Sequence, residues 1–222
     1  MNNPVVIIGS GLAGYAVARE LRKLDTEKPI LMLSADHGGF YSKPMLSNAL
    51  STGKTPDSII NGDATQMAAQ LKISIRPYCR IVAIDPSNKT IMPANEEKIH
   101  YDSLTLALGA DQIHLPLSGN GTDKIYTIND LDDYKHFRNA LEGKKRVSII
   151  GAGLIGCEFA NDLATAGYQV NVIDISAQPL GRLLPPEAGG FLQRKLEAAG
   201  VVFHLNASTQ SVDQIQDYFR LS

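Results

Sequence analysis

The sequence predicts an α/β fold of two Rossmann-like units, each with a parallel central sheet in a three-layer architecture, the first carrying an added antiparallel meander. One observation is an internal repeat: VVIIGSGLAGYAVAREL at Val5–Leu21 returns as VSIIGAGLIGCEFANDL at Val147–Leu163, with nine of seventeen positions identical. A second is that each copy passes from an apolar run through a glycine-rich turn into a helical period. A third is the alternation of apolar and polar residues over 73–101, which predicts short antiparallel strands.

The first copy has every part of a dinucleotide-binding βαβ unit. Val5–Ile8 is an apolar, β-branched run of the kind that forms a strand buried on both faces. A helix is expected to begin near Gly11, and a second strand over Ile30–Leu33 ends in Ser34-Ala35-Asp36. Three glycines stand in G-x-G-x-x-G spacing: Gly9, Gly11 and Gly14. They permit, in that order, a tight turn, close approach of the backbone to a pyrophosphate, and close packing of helix on strand.

The second copy repeats each element. The strand Val147–Ile150 leads into a second set of glycines, Gly151, Gly153 and Gly156, and the next strand, Val170–Ile173, ends at Asp174. Asp174 lies 174 − 156 = 18 residues beyond the last glycine, close to the spacing of about 20 seen in dinucleotide sites. A carboxylate there suits a free ribose 2′-hydroxyl and repels a 2′-phosphate, which favours NAD over NADP. Two copies predict two bound dinucleotides.

The remaining sequence suggests how the units are joined. Loops and helices are expected over 37–70, and a buried strand over Tyr101–Ala110. A linker rich in proline and glycine places a domain boundary near 111–125. Beyond it we expect helices over Asn129–Leu141 and about Pro186–Ala199, then a strand over Val201–His204 and an unfinished sheet.

Composition excludes several classes of protein. The net charge is −2 and no basic run is present, so a nucleic-acid surface is not expected. The apolar runs are too short to cross a bilayer, and the N-terminus has no signal-peptide pattern, so the cytoplasm is the expected location. Cys79 and Cys157 form neither a disulfide framework nor a metal motif. None of the eight tyrosines begins the Tyr-x-x-x-Lys pair of a short-chain dehydrogenase.

Four segments, GSGLAG, YSKPMLS, YDSLTLALGA and GAGLIGCEFANDL, together resemble the FAD- and NADH-dependent pyridine nucleotide reductases, and the likeness covers residues 4–222. It implies that residues 1–112 hold FAD and that residues 113–222 hold NADH. Members of that family also have a later Gly-Asp strand and a C-terminal interface domain. Gly62-Asp63 stands too early to be that Gly-Asp. We therefore expect the chain to be C-terminally truncated.

The resemblance assigns FAD positions by motif. They are Gly9, Gly11, Leu12, Ala13 and Gly14 at the pyrophosphate, Ala35 or Asp36 at the adenosine ribose, Lys43 with Pro44 beside the isoalloxazine, Ile81 at the adenine, and Ala107, Leu108 and Gly109 in a segment that is commonly Ala-Thr-Gly. Asn129 stands where several relatives have an arginine that contacts FAD. A cation at Lys43 would favour anionic reduced flavin; the alternative is a solvated loop lysine.

The resemblance likewise assigns the NADH positions, which are Gly151, Gly153, Leu154, Ile155, Gly156, Glu158 and Asp174. In similar enzymes the acid matching Glu158 lies where nicotinamide meets flavin, so Lys43 and Glu158 are the candidate catalytic residues. The alternative for Glu158 is a first-turn acid that only stabilises the helix N-terminus, by about 0.3–1 kcal/mol.

The implied reaction is hydride transfer from NADH to FAD, followed by single-electron transfer to an external iron protein. The segment FYSKPMLSNAL lacks the redox cysteines of related disulfide reductases. The resemblance implies rubredoxin as the acceptor, in electron supply to an alkane hydroxylase. A ferredoxin of an oxygenase system is the alternative acceptor, and an inactive nucleotide-binding fragment is the alternative to an enzyme. The oligomeric state is left open.

Overall fold

The computed structural model describes residues 3–222, and the chain divides into two compact units. The first holds the chain up to Lys43 together with Asp57–Asp111. The second holds Gln112–Ser222 together with Pro44–Pro56, which we call the inserted segment. The division at residues 111 and 112 falls beside the predicted domain boundary, but the inserted segment groups with the second unit although its chain neighbours on both sides belong to the first.

The first unit contains a parallel sheet and an antiparallel sheet. Its elements are β1 Val5–Ile8, α1 Leu12–Leu24, β2 Ile30–Leu33, α2 Ala64–Leu71, β3 Ser74–Arg76, β4 Ile81–Asp85, β5 Thr90–Pro93, β6 Ile99–His100 and β7 Ser103–Leu106. The parallel sheet has the order β3-β2-β1-β7, and the antiparallel sheet the order β4-β5-β6. The predicted α/β class and the added meander are confirmed, but the antiparallel prediction over 73–101 is wrong at its start, because Ser74–Arg76 pairs parallel to β2 as the edge strand β3.

The two faces of this parallel sheet explain why β1 has no polar residue. On one face Ile7 and Met32 pack against Tyr15 of α1 and Met67 of α2. The opposite face packs against the meander through a second cluster: Val6, Ile8, Leu31, Leu33, Cys79, Ile91 and Tyr101. A strand covered on both sides must be apolar throughout, as the sequence of β1 is. The last strand, β7, is shorter and less buried than predicted because it forms the edge of the sheet.

The second unit repeats the parallel sheet. Its elements are α3 Leu131–Ala140, β8 Arg146–Ile150, α4 Leu154–Thr165, β9 Gln169–Ile173, α5 Pro186–Ala198, β10 Val201–His204, β11 Val212–Ile215 and β12 Tyr218–Leu221. The parallel strands have the order β10-β9-β8, and β11 pairs with β12 as an antiparallel hairpin. Within the described residues β8 has one neighbouring strand, whereas β1 has two. A membrane-crossing helix would need more length and apolar character than any helix within 3–222 possesses.

Candidate functional site

The first glycine-rich turn is shaped by two close backbone approaches. Gly9 has φ +110°, and its N–H donates to the carbonyl of Leu33 at 2.8 Å. A Cβ at Gly9 would collide with the carbonyl of Ala107, and a Cβ at Gly14 would collide with the carbonyl oxygen of Gly9. These two positions therefore require glycine because β1, β7 and α1 meet at van der Waals distance.

The second turn has the same geometry. Gly151 has φ +109°, and its N–H donates to the carbonyl of Ile173 at 2.8 Å. A Cβ at Gly156 would collide with the carbonyl oxygen of Gly151. Around Gly151 itself the described chain leaves 4 Å of open space, because β8 has no strand in the place that β7 takes beside β1.

The middle glycine of each turn faces open space. Gly11 and Gly153 are the N-cap residues of α1 and α4, with φ −70° and −73°, values that any residue can adopt. No atom of residues 3–222 lies within 4 Å of a Cβ built at either glycine, and no described side chain caps either helix. Helix N-termini with uncapped N–H groups attract phosphates. Neither backbone conformation nor packing within the described chain requires glycine at Gly11 or Gly153. We call the open space at each of these two helix N-termini a cradle, and its uncapped N–H groups fit a dinucleotide pyrophosphate.

Side chains brace the first turn from the end of β2. The Ser10 and Ser34 hydroxyl oxygens lie 2.6 Å apart, and the Ser10 hydroxyl donates to Asp36 Oδ1 at 3.1 Å. The Ser34 hydroxyl also donates to Asp36 Oδ1, which accepts the N–H of Gly38 at 2.9 Å as well. Ala35, between these two residues, is exposed and apolar. Of the two alternatives for the ribose, Asp36 is engaged within the protein through Oδ1, and Ala35 offers no polar side-chain atom.

The brace of the second turn uses a carboxylate directly. Asp174 Oδ2 accepts the N–H of Ala152 at 2.6 Å, and Oδ1 accepts the N–H of Ser176 at 2.6 Å. Burial acts to raise the pKa of Asp174, but the hydrogen bonds from Ala152 and Ser176 outweigh it, and the pKa lies below its ordinary value. Each oxygen has a further lone pair, so a role at the ribose remains compatible with this geometry.

Strand register shows that the two braces are related by an exchange. The last residue of β2, Leu33, pairs with Ile8, and the last residue of β9, Ile173, pairs with Ile150. Ser34 and Asp174 are therefore equivalent, each being the first residue after its strand. Asp36 and Ser176 are equivalent as the third residue after the strand. The first unit therefore has Ser-x-Asp where the second has Asp-x-Ser. The exchange can be read from the sequence when the strand ends of the two copies are compared, whereas a terminal acid considered alone does not reveal it.

The other predicted FAD positions are distributed over several elements. Lys43 and Pro44 are exposed and begin the short 3₁₀ helix Lys43–Ser47. Ile81 opens β4, and Ala107, Leu108 and Gly109 follow β7, with Gly109 at φ +74° and Leu108 68% exposed. Asn129 belongs to the second unit, where its N–H donates to Asp133 Oδ2 at 2.9 Å just before α3. Their roles toward FAD stay predictions.

Two acids on α4 contact the inserted segment. The Ser47 hydroxyl donates to Glu158 Oε2 at 2.5 Å. One turn further along, Asp162 is 2% exposed and accepts the N–H groups of Leu50 and Ser51 at 3.1 and 2.8 Å. Glu158 is half-buried two residues after Gly156 and lies beyond the first turn of α4, so the alternative of a first-turn acid is wrong. Sequence reasoning singled out Glu158 but missed Ser47 and Asp162, because their contacts join residues more than 100 positions apart.

Both cysteines are buried thiols. Burial raises the pKa of Cys157 to about 11, with the nearby carboxylates of Asp174 and Glu158 adding to the effect, and burial also raises the pKa of Cys79. The Cys157 thiol donates to the carbonyl of Ala152 at 3.4 Å. Within residues 3–222 no group of three His, Cys, Asp or Glu side chains is arranged to hold a metal ion.

Comparison with known proteins identifies relatives of the whole described chain. It is 47% identical over 220 residues to the rubredoxin-NAD(+) reductase of Acinetobacter baylyi, covering 97% of this chain and 56% of that protein. It is 44% identical to the rubredoxin-NAD(+) reductase of Alcanivorax borkumensis, covering 95% of this chain and 55% of that one. The ferredoxin reductase for the CYP199A2 system of Rhodopseudomonas palustris matches with a TM-score of 0.87 and 28% identity, covering 98% and 54%.

The chain thus spans little more than half the length of the relatives it matches. The family model described as pyridine nucleotide-disulphide oxidoreductase matches residues 3–221. This match takes in both glycine-rich turns and both braces described above. The chain therefore belongs to the pyridine nucleotide-disulphide oxidoreductase family.

Proposed function

We propose that the chain is the nucleotide-binding part of a flavoprotein reductase that takes electrons from NADH and delivers them to rubredoxin. The observation that carries this proposal is the pair of open cradles at Gly11 and Gly153, each at the N-terminus of a helix that follows a buried strand. The proposal places one dinucleotide at each of these two helix N-termini, one in each unit. The names of the two relatives at 47% and 44% identity support rubredoxin as the acceptor and NAD as the donor.

FAD is assigned to the first unit and NADH to the second. When bound, FAD accepts two electrons as hydride and can release them one at a time. The chain's own residues bind and orient the two groups: the turn amides hold the pyrophosphates, and Ser34, Asp36 and Asp174 keep the turns in shape. Lys43 supplies a positive charge toward the flavin, and Glu158 orients the nicotinamide. Correct orientation of this kind is worth several orders of magnitude in rate.

The cysteines take no part in the proposed route. Both are buried, and the pKa of Cys157 is about 11, so its thiolate is scarce at neutral pH. Thiolates, not thiols, are the reactive form in disulfide exchange. Electrons are therefore proposed to leave the flavin directly for a protein outside this chain, with electron supply to alkane oxidation as its use.

Anaerobic stopped-flow spectroscopy tests the proposal. The purified chain, loaded with FAD, should lose its absorbance near 450 nm on mixing with NADH and regain it on mixing with oxidised rubredoxin. NADPH should bleach the flavin far more slowly than NADH. Unchanged flavin absorbance with NADH would contradict the proposal and leave a nucleotide-binding fragment.

A ferredoxin is the second candidate acceptor. The observation favouring it is the structural match to the ferredoxin reductase of Rhodopseudomonas palustris at 28% identity and a TM-score of 0.87. The same reoxidation experiment with a [2Fe–2S] ferredoxin in place of rubredoxin separates the two. We expect rubredoxin to reoxidise the flavin faster, and the reverse order would favour the second candidate.

A further inference from the structure

The inserted segment is held by the second unit through three anchors. It has no strand, and after its 3₁₀ helix ends at Ser47 it continues as turns to Gly53. Turn hydrogen bonds shape the segment locally, among them the Lys54 N–H to the Ala49 carbonyl at 2.8 Å, and contacts with α3 and α4 hold it on the second unit. Those contacts come from a carboxylate, a guanidinium and a second carboxylate, each bound to a different part of the segment.

Asp162 is the most buried of the anchors. Each of its oxygens accepts a different backbone N–H of the segment, Leu50 at Oδ2 and Ser51 at Oδ1. Burying a carboxylate is costly unless hydrogen bonds compensate for the water it loses, and here two amides do so at 2% exposure. An asparagine of the same shape would turn its NH₂ group toward one of these amides, so one of the two bonds would be lost.

Arg138 on α3 holds the same segment by an acceptor. Its Nη1 donates to the carbonyl of Lys54 at 3.0 Å and to the Tyr134 hydroxyl at 3.0 Å. The segment therefore gives two N–H groups to an acid on α4 and one carbonyl to a base on α3. An acceptor on α4 and a donor on α3 therefore hold the segment at two points, Leu50–Ser51 and Lys54.

The third contact reaches the proposed active site. Ser47 is 4% exposed, and its single hydroxyl proton faces Glu158 Oε2 at 2.5 Å and the carbonyl of Pro44 at 3.1 Å. Glu158 and Asp162 are four residues apart, so they lie on the same face of α4. The Ser47 hydroxyl therefore has one acceptor on α4 and another within the inserted segment.

We infer that Asp162 and Arg138 are positioning residues: they seat the inserted segment on α3 and α4 so that the Ser47 hydroxyl fixes the side chain of Glu158. The inference rests on the proposed function, because it gives a purpose to the orientation of Glu158. Neither residue need touch a nucleotide. Loosening the segment should therefore slow hydride transfer while leaving NADH binding at the glycine-rich turn nearly unchanged.

Asp162→Asn and Ser47→Ala test the inference in the FAD-loaded chain. For Asp162→Asn we expect faster hydrogen exchange in peptides covering 47–54, measured by mass spectrometry. For both variants we expect the rate of flavin bleaching at saturating NADH to fall about tenfold or more, with the Kd for NADH within about twofold. Ser47→Thr keeps the hydroxyl and should recover most of the rate lost in Ser47→Ala.

Two further variants serve as an alternative to Asp162→Asn and as a control. Arg138→Gln loosens the segment from α3 if Asp162→Asn fails to fold, and Glu197→Gln removes an exposed carboxylate from α5 as a matched control. A wild-type bleaching rate in the loosened variants, or an equal loss in Glu197→Gln, would overturn the inference. Absence of bleaching in the unmodified chain would instead defeat the proposed function, and the inference with it.

Discussion

The glycines of each turn differ in what lies beside them. Substituting one of them should therefore affect stability, and substituting another should affect nucleotide binding. A Cβ at Gly156 would meet the carbonyl oxygen of Gly151, whereas one at Gly153 would meet no atom of the described chain. We expect Gly156→Ala to lower the free energy of unfolding by about 1–3 kcal/mol through overpacking. Gly153→Ala should change it by no more than about 1 kcal/mol and weaken NADH binding about tenfold or more.

Urea unfolding and NADH fluorescence titration measure the two effects on the same samples. The methyl group of Gly153→Ala would occupy the space assigned to the pyrophosphate, so affinity should fall in a protein that is still folded. Full NADH affinity in Gly153→Ala would show that the cradle is not the phosphate site.

The buried thiol of Cys157 predicts a pH dependence of stability. Its pKa is about 11 in the folded chain, against an ordinary value of 9.0. Above the ordinary value the unfolded chain loses this proton while the folded chain keeps it, so the contribution to stability is complete well below about pH 9 and falls as the pH rises toward 11. The loss should be on the order of 2 kcal/mol.

Urea unfolding at pH 8 and pH 10.5 measures this dependence, and Cys157→Ala should flatten it. A weaker fall should persist in the variant, because Tyr15, whose hydroxyl donates to the Gly38 carbonyl, has a pKa of about 12. Equal pH dependence in both proteins would contradict the assignment to Cys157.

Single residues also mark the limit of what the sequence could predict about the site. The glycine positions followed from spacing alone, because a turn that tight admits few residues. The hydrogen-bond partners of Asp174 could not be predicted from the sequence, since a carboxylate at a strand end can face either a ribose or the turn beside it. In the folded chain it faces the turn, where the N–H groups of Ala152 and Ser176 donate to it.

At the scale of elements, Gly62-Asp63 has a role that its sequence alone leaves unstated. Asp63 Oδ1 accepts the N–H of Gln66 at 2.8 Å, and Gln66 Oε1 accepts the N–H of Asp63 at 3.0 Å, which is a complete capping box at the start of α2. We expect Asp63→Ala to lower the free energy of unfolding by about 1 kcal/mol. Asp63→Asn keeps an acceptor and should cost much less in the same urea titration; equal losses would argue against the cap.

Elements with a local signal were predicted closely, and elements held by distant contacts were not. The helix predicted over about 186–199 is α5, Pro186–Ala198, because proline at its start and Gly200 beyond its end punctuate it in the sequence. The inserted segment was expected only as loop and helix. Its place on α4 depends on a buried aspartate more than 100 residues away, which no local pattern can indicate.

At the scale of the whole molecule, the two units repeat the same strand, turn and helix, but the first strand of each repeat has different neighbouring strands. In the first unit β1 lies between β2 and β7, while among the described residues β8 has β9 alone. The sequence could predict both units because each copy carries its own strand, turn and helix. The exchange of serine and aspartate at the strand ends can be read from the sequence, but the hydrogen bonds by which Asp36 and Asp174 hold the two turns cannot.

This exchange provides a test of which dinucleotide each unit binds. Asp174→Asn removes one acceptor for the N–H groups that it holds, and hydrogen bonds to a charged group contribute about 1.5–3 kcal/mol each. We expect NADH affinity to fall about tenfold with the FAD content unchanged. Ser34→Ala frees Ser10 and Asp36 from their shared partner, so it should lower FAD retention and leave NADH affinity intact.

Absorbance near 450 nm after gel filtration gives the FAD content, and fluorescence titration gives the NADH affinity of each variant. The matched design matters because each variant alone could act through general loss of stability, which would lower both readouts together. Opposite selectivity in the two variants requires that each brace serve its own turn. Loss of FAD in Asp174→Asn with NADH binding preserved would reverse the assignment of the two units.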